Sequence, residues 1–279
     1  MNAGRAGILH DEHLLLGAHL VDSDLGGLAV ASYAGEKDLD SALEGALLAD
    51  LSGSAYLLVS GPGSPALSRA ALAGRALAVG EAAFEACLAG DGALVSVPLA
   101  LRTGDGETVL LDPSSRGAVL AGWLAFLAGL EGEGGRAFPD AEVTDASEML
   151  VALLLAGDAA EAVLSDYART EPLPPAGTVA PTHLDAIGAL VARLPEDAGV
   201  PGFVVFVPPA SARVLWRSFL SFNEVTPVGQ EALRALAARA PWGSALAREG
   251  RCPVALDELR RWGLLRDGAD YVGARALEQ

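Results

Sequence analysis

The residues of this chain that could do chemistry begin with its histidines, three of which lie close together near the start. His10, His13 and His19 could offer imidazole nitrogens to a metal ion, and His183 stands alone. Two residues separate His10 from His13, so the spacing is not that of an HExxH zinc motif. Because no cysteine lies nearby to complete a ligand set, we predict solvated or capping histidines and no metal site.

The other reactive residues indicate neither a phosphate cradle nor an activated nucleophile. Residues 61–64 (GPGS) are glycine-rich, but they lack the GxGxxG pattern and the Lys-Ser/Thr of a P-loop. Cys87 lies in an apolar run without a basic neighbour that would lower the pKa of its thiol, and the chain has no GxSxG elbow. The Asp-Gly pairs in residues 90–92 and 104–106 are typical of hairpin turns. These residues by themselves do not indicate an enzyme.

Composition and charge exclude several classes of protein. With 279 residues, 51% of them apolar and 20% charged, the chain can bury a sizeable core. Its formal net charge of -17 repels phosphate backbones and anionic lipids, so we predict no nucleic-acid and no membrane partner. The longest apolar stretch, residues 117–130, is shorter than the roughly 20 residues of a membrane helix. The polar N-terminus and the presence of only two cysteines predict a cytoplasmic protein without a signal peptide.

Two blocks of the sequence repeat the same order of patterns. In each block a first strand-like run ends at a glycine and leads into a first helical stretch. A second strand-like run then ends at a proline and leads into a second helical stretch. Gly61 and Pro113 are 52 positions apart, and Gly157 and Pro208 are 51 apart. The strand-like runs are residues 56–60, 109–112, 151–155 and 204–207, and the helical stretches are residues 64–72, 119–123, 159–167 and 214–216. Because two landmarks recur at nearly one separation, we predict a duplicated module of strands and helices.

Further elements are predicted around these blocks. Apolar residues at helical spacing predict helices over residues 7–21, 40–50 and 230–240. Residues 131–140 are rich in turn formers and predict a connector. Residues 170–181 hold so many prolines that we expect a loop, since proline disrupts helices and inner strands.

Five stretches occur in the same order as the motifs of one known family. The stretches are residues 9–22 (LHDEHLLLGAHLVD), 48–62 (LADLSGSAYLLVSGP), 84–101 (FEACLAGDGALVSVPLAL), 202–208 (GFVVFVP) and 227–246 (PVGQEALRALAARAPWGSAL). The first resembles an L-Y-D-x-H-x-x-x-G-A-x-x-V-D opening, and the second resembles L-F-D-V-S-H-M followed by a strand and S-G-P. Over residues 9–246 the chain therefore resembles the glycine cleavage T-protein (aminomethyltransferase) family.

The resemblance implies an α+β, duplicated and pseudo-symmetric folate-binding fold. It implies an outer half in two parts, residues 1–47 and 138–222, with residues 48–137 inserted as the first strand-helix module. Residues 223–279 would form a helical segment that returns to the first module. We expect no C-terminal β-barrel, because the chain ends where the family's barrel would begin.

The resemblance also assigns a folate site, although this chain departs from it. The family's Asp-Asp pair falls on Ser96 and Val97, and the glutamate of its G-Y-T-G-E motif falls on Val200. His-Met of the second motif become Gly53 and Ser54, and the glutamate of R-L-E-A-G becomes Leu236. We therefore predict no catalytic residue, with Ser96 at the family's aspartate position. The predicted folate-binding residues are Phe84, Ser96, Asp112, Arg234 and Trp242. The alternative is that Phe84 and Trp242 are core residues and that Arg234 is a solvated charge.

Three functions remain open at this stage. The first is a T-protein-like, tetrahydrofolate-binding transferase of one-carbon metabolism with impaired or altered catalysis. The second is a non-catalytic subunit or scaffold of a one-carbon or demethylase complex, similar to the gamma subunit of sarcosine oxidase, with a protein partner on the face that the barrel would cover. The third is a site rebuilt for another flat, apolar molecule, since Val97 and Val200 replace acids.

Overall fold

The computed structural model describes residues 7–132 and 134–278, which divide into two units. Unit 1 contains residues 7–54 and 146–237, and unit 2 contains residues 55–132, 134–145 and 238–278. The predicted four-segment division of the chain stays a prediction. Each unit combines strands and helices, which confirms the predicted α+β class.

The helices and strands are numbered in chain order. The helices are α1 His10–Leu15, α2 Leu39–Glu44, α3 Ser64–Ala71, α4 Gly117–Ala128, α5 Ala160–Ser165, α6 Pro209–Phe219, α7 Gln230–Ala237, α8 Gly243–Leu246, α9 Leu256–Arg261 and α10 Ala274–Leu277, with a 3-10 turn at Glu196–Ala198. The strands are β1 Ala18–Asp22, β2 Leu28–Tyr33, β3 Ala46–Asp50, β4 Ala55–Ser60, β5 Ala82–Phe84, β6 Cys87–Leu88, β7 Leu94–Ser96, β8 Leu99–Gly104, β9 Glu107–Asp112, β10 Glu131–Gly132, β11 Gly135–Arg136, β12 Glu142–Asp145, β13 Val151–Ala156, β14 Thr178–Leu184, β15 Ile187–Arg193, β16 Gly202–Val207 and β17 Val225–Pro227.

Unit 1 is built on a sheet with the strand order β14-β15-β16-β13-β3-β17. Strand β13 (VALLLA) is buried along its whole length, which is typical of a strand covered on both faces. Helix α6 buries Ala212, Leu215, Trp216 and Phe219, whose spacing places them on one helical face. These side chains join the β13 residues in one apolar core.

Unit 2 is built on a sheet with the strand order β12-β4-β9-β8-β5. Helices α3 and α4 pack against it, and α4 contributes Leu120, Leu124 and Leu127 at helical spacing. Strands β6 and β7 form a separate hairpin. The C-terminal residues, with Trp242 and Leu259, pack with this hairpin in a second apolar cluster.

The two units repeat one topology, as the spacing of landmarks predicted. Strands β4 and β9 pair antiparallel and lead into α3 and α4, and strands β13 and β16 pair antiparallel and lead into α5 and α6. The glycines that end β4 and β13 both have positive φ, 95° at Gly61 and 126° at Gly157. A Cβ atom at Gly61 would lie 2.3 Å from the Asp140 oxygen, and one at Gly157 would lie 2.6 Å from the Gly45 oxygen. Each unit therefore contains one copy of the repeated strand and helix order, which confirms the predicted duplication.

Several boundaries differ from the sequence prediction. The first helix ends at Leu15 instead of reaching residue 21, because Gly17 adopts a φ of 73° and β1 pairs with β2. The helix predicted over residues 40–50 ends at Glu44, and its second half is β3. The loop predicted over residues 170–181 ends at strand β14, which contains Pro181. Strand β14 lies at the sheet edge, where proline costs no ladder hydrogen bond on its free side.

Other local predictions are confirmed. Residues 90–92 connect β6 to β7, and residues 104–106 connect β8 to β9, so both Asp-Gly pairs lie in hairpin turns. The helix predicted over residues 230–240 is present as Gln230–Ala237. Within the described ranges, no helix combines the length and apolar character needed to cross a membrane.

Candidate functional site

Ser96, which the resemblance assigns to the family's aspartate position, lies in unit 2 beside a carboxylate from another strand. Ser96 Oγ donates a hydrogen bond of 2.5 Å to Asp112 Oδ2. The other carboxylate oxygen, Asp112 Oδ1, accepts from the backbone N–H of Ser114 at 2.9 Å, in the turn that leads into α4. Both Ser96 and Asp112 are buried, at 0% and 1% exposure. The structure thus brings together two of the predicted site residues.

Two other predicted residues, Phe84 and Trp242, are also in contact. Their ring centroids are 5.2 Å apart, with a tilt of 54° between the ring planes. Trp242 is only 2% exposed and packs in the apolar cluster that also contains Val97. Phe84 is half-buried at the edge of that cluster. The pair offers aromatic surface, most of which the chain itself covers.

The fifth predicted residue, Arg234, belongs to unit 1. It is exposed on α7, whose buried residue is Leu233.

At positions that the resemblance assigns to other family motifs, Gly199 adopts a φ of 74° and Val200 is half-buried. Gly53 accepts a hydrogen bond of 2.6 Å from Gln230, and a Cβ atom there would lie 2.0 Å from the Gln230 nitrogen. A Cβ atom at position 53 would also lie 2.5 Å from Ala29 Cβ, so a larger residue there would require the packing to shift.

Cys87 lies opposite Ser96 in the β6–β7 hairpin. Burial raises the pKa of its thiol strongly, and the negative charge of Asp112 raises it further. Because the thiolate is the reactive form, this environment disfavours nucleophilic chemistry at Cys87.

A buried arginine that the sequence analysis did not single out supports the strand carrying Ser96. Arg116 donates from Nε to the Val95 oxygen at 2.9 Å and from Nη2 to the Leu94 oxygen at 3.3 Å. Its Nη1 donates to the Gly250 oxygen at 2.8 Å, so it also holds the C-terminal segment. The sequence feature that could have indicated Arg116 is its position directly before the apolar helix α4, because a charge buried with such a helix needs hydrogen-bond acceptors.

A second missed group is a buried polar cluster in unit 1, which we call the His13 cluster and define as His13, Tyr33 and Asp50. His13 Nε2 lies 2.9 Å from Asp50 Oδ2, and His13 Nδ1 lies 2.8 Å from the Tyr33 hydroxyl. The side chains of His13 and Asp50 are each 6% exposed. The prediction of a solvated or capping residue is therefore wrong for His13. The signal was present, because His13 and Asp50 both occupy positions of the family motifs.

The remaining histidines lie outside this cluster. His19 and His183 are exposed, and His10 is half-buried. In the part of the chain that the structure describes, no three side chains of metal-binding type gather in one place.

Comparison with known proteins gives two informative matches. No family model matches the chain. An aminomethyltransferase of Rubrobacter xylanophilus is 30% identical over 280 residues, covering 97% of this chain and 71% of the relative. The glycine cleavage system aminomethyltransferase T from Bartonella henselae superposes with a TM-score of 0.72 at 20% identity, covering 99% of this chain and 74% of that one. This second likeness shows the fold.

A third protein is more distant. The heterotetrameric sarcosine oxidase from Corynebacterium sp. U-96, solved in complex with pyrrole 2-carboxylate, gives a TM-score of 0.45 at 16% identity. The match covers 78% of this chain and 93% of that chain.

Proposed function

The chain belongs to the aminomethyltransferase family, and from this premise we propose that it is a tetrahydrofolate-binding protein of one-carbon metabolism with impaired or altered catalysis. Tetrahydrofolate, when bound, supplies the acceptor for a one-carbon unit. We place the protein in the cytoplasm, because Cys87 and Cys252 are free thiols and a reducing compartment preserves them.

One observation carries the proposal, the hydrogen bond between Ser96 and Asp112. The resemblance implies an aspartate at position 96 and an asparagine at position 112, whereas this chain has Ser96 and Asp112. The pair therefore keeps one carboxylate, which has moved from β7 to β9. A carboxylate this close to the family's position supports retained recognition of the N–H groups of a pterin ring.

The residues match tetrahydrofolate in chemical type but not in exposure. A carboxylate at Asp112 and two rings at Phe84 and Trp242 are the groups that hold a flat, hydrogen-bonding ring. Asp112 is 1% exposed and Trp242 is 2% exposed, so contact with a ligand requires neighbouring side chains to move. Because that rearrangement costs free energy, we propose that the affinity for tetrahydrofolate is weakened.

Isothermal titration with 5-formyltetrahydrofolate tests the proposal. We expect weak binding to the full chain and at least about tenfold tighter binding to the double variant Ser96→Asp/Asp112→Asn, which restores the family's arrangement without placing two acids together. The single variant Ser96→Ala is the matched control, because it removes the hydroxyl without supplying an acid. Absence of heat with both the wild type and the double variant would refute folate binding.

The burial of Trp242 supports the second function, a non-catalytic subunit or scaffold with a protein partner. In that case the packed cluster of Val97 and Trp242 is core, and no folate enters. Sedimentation analysis distinguishes the two. A protein that stays monomeric and binds the folate analogue contradicts the subunit function, whereas self-association or stable partner binding without folate binding supports it.

A further inference from the structure

A cavity of about 190 Å³ lies beside α3 in unit 2, and we call it the α3 cavity. The chain as a whole carries a net charge of -17, yet the wall of this cavity has more basic than acidic side chains. Its basic residues are Arg69, Arg75, Arg102 and Arg266, and its acidic residues are Asp105 and Glu85. Arg69 and Arg266 pair with Asp270, and Arg75 pairs with Glu81. Arg102 donates to main-chain oxygens instead, so it is the wall arginine whose charge most favours an anionic ligand.

Two buried polar atoms in the wall of the α3 cavity have no hydrogen-bond partner among the described residues. They are Ser64 Oγ and Glu85 Oε2, and both residues are 1% exposed. Buried polar atoms in folded proteins are nearly always hydrogen-bonded, because leaving one unpaired costs stability. A ligand oxygen could accept a hydrogen bond from either group once the cavity wall moves to uncover it, since both atoms are buried.

The arginines differ in how far the chain already uses them. Arg102 Nη1 donates to the Leu77 oxygen at 2.9 Å, and Nη2 donates to the Asp105 oxygen at 3.3 Å. A guanidinium has five N–H groups, so these two bonds leave donors for a ligand. Arg266 donates to main-chain oxygens, including that of Gly74 at 2.9 Å, and its Nε pairs with Asp270 Oδ1 at 2.9 Å, so its donors are already used within the chain.

The rest of the wall indicates an organic ligand. Leu72 and Leu77, both buried, line the same cavity as the polar groups. Small-molecule sites commonly combine such apolar walls with a few polar groups that fix orientation. The volume suits a molecule of only a few carbon atoms.

We propose that the α3 cavity binds a small organic anion, whose carboxylate or phosphate oxygens accept hydrogen bonds from Ser64 and Arg102 and whose carbon atoms pack on Leu72 and Leu77. The site is independent of the proposed folate site, since it uses none of the five predicted folate-binding residues.

Glu85 gives the proposal a pH dependence. Burial raises the pKa of Glu85 to about 8, and the Gly74 N–H and the charges of Arg266 and Arg75 lower it only in part. Arg69, Arg102 and Asp105 also line the cavity. At neutral pH the Glu85 carboxyl is mainly protonated and can donate to an anion, whereas above about pH 8 its negative charge repels one.

The test is titration of the ¹⁵N-labelled full chain with sodium butyrate, observed by amide chemical shifts. We expect saturable shifts at Ser64, Gly74 and Glu85 with a dissociation constant on the order of 1 to 10 mM, since the ligand is small. Butyramide, which is neutral and of the same shape, should produce no saturable shift. Inorganic phosphate and propyl phosphate identify the head group: tighter binding of propyl phosphate than of butyrate indicates a phosphate ligand, and the reverse indicates a carboxylate.

Matched variants assign the binding to the cavity. Arg102→Gln should weaken butyrate binding about tenfold or more, whereas Arg136→Gln, which removes an exposed charge on β11, should leave it unchanged. Ser64→Ala removes no hydrogen bond of the described chain and should weaken binding several-fold without loss of folding. Glu85→Gln should remove the loss of affinity between about pH 7 and pH 9.

Three outcomes would overturn the proposal. The first is equal shifts with butyrate and butyramide, which would show that charge is not recognised. The second is equal weakening by Arg102→Gln and Arg136→Gln, which would show a general charge effect. The third is no saturable shift with butyrate, propyl phosphate or inorganic phosphate up to about 50 mM.

Discussion

The His13 cluster of unit 1 and the α3 cavity of unit 2 both bury polar side chains, but they satisfy them differently. In the His13 cluster both ring nitrogens of His13 have a partner, Asp50 on one side and Tyr33 on the other. In the α3 cavity Ser64 and Glu85 line the wall, and each keeps a buried atom without a hydrogen-bond partner among the described residues. Buried polar groups that are fully hydrogen-bonded stabilise their unit, whereas buried groups without a partner lower stability. We expect such unpaired groups where another molecule supplies the missing hydrogen bonds.

The largest effect is expected from Asp50→Ala, which should lower the free energy of unfolding by about 3 kcal/mol, because it leaves a buried His13 nitrogen without its partner. Urea denaturation of the full chain measures the change. The control is Asp22→Ala, an exposed acid on β1, which should change stability by no more than about 0.5 kcal/mol. Equal effects of the two variants would mean that the His13 cluster is not a stabilising network.

The second prediction, for Glu85→Gln, is a gain in the free energy of unfolding instead of a loss. The folded-state pKa of Glu85 is about 8, above its ordinary value of 4.5, so the folded protein holds this proton more tightly than the unfolded chain. The stability contributed by the protonated form is complete at low pH and is lost as pH rises through about 8. Glu85→Gln should therefore raise the free energy of unfolding by about 2 kcal/mol at pH 9 and by much less at pH 5.

Urea denaturation of wild type and variant at the two pH values measures this difference. Glu107→Gln, which alters an exposed acid on β9, is the control and should show no such dependence. If Glu85→Gln destabilises the protein at pH 9, the carboxylate is satisfied in solution and the contrast with the His13 cluster disappears.

Tyr33→Phe should cost about 1 to 2 kcal/mol, because it removes the hydroxyl that pairs with His13 Nδ1 in a buried setting. Thermal unfolding followed by circular dichroism measures the loss. Tyr167→Phe is the control, since the hydroxyl of this half-buried tyrosine donates to the Ser218 oxygen at 3.0 Å and should be worth less. A smaller loss for Tyr33→Phe than for Tyr167→Phe would contradict the role of the His13 cluster.

The smallest effect is expected from Ser64→Ala in the protein without ligand, within about 0.5 kcal/mol of zero or slightly stabilising, because its hydroxyl has no partner to lose. Thermal unfolding followed by circular dichroism measures the change for Ser64→Ala. Comparing it with the loss for Tyr33→Phe tests the difference between the α3 cavity and the His13 cluster. A loss of about 1 kcal/mol or more would show that the Ser64 hydroxyl is bonded within the chain, and the case for a ligand there would weaken.

Local features of the fold could be predicted, and features that depend on strand pairing could not. The Asp-Gly turns at residues 90–92 and 104–106 follow from local backbone preference, so the pattern alone predicts them. Strand β1 could not be recognised, because its residues also fit helical spacing and only pairing with β2 decides between the two. The edge position that allows Pro181 in β14 is likewise a property of the whole sheet.

The candidate site was predictable as a set of positions, but not as a set of contacts. The resemblance indicated Ser96 and Asp112 separately, since it implies an aspartate at the first position and an asparagine at the second. Their hydrogen bond joins residues 16 apart in sequence, on β7 and at the end of β9, and no spacing rule indicates it. The exposure of Phe84 and Trp242 was also undetermined, because burial depends on what packs against a residue from distant parts of the chain.

The sequence by itself determined the alternation of strands and helices, the duplicated order of the two modules and the family, because periodicity, turn residues and motif order are all local or linear properties. Tertiary structure alone decided that His13 is a buried partner of Asp50, that Ser96 holds a carboxylate from β9, and that four arginines and Glu85 meet at one cavity. The reason is physical: hydrogen bonding and burial depend on which residues meet in space, and here those residues lie on separate strands, loops and helices.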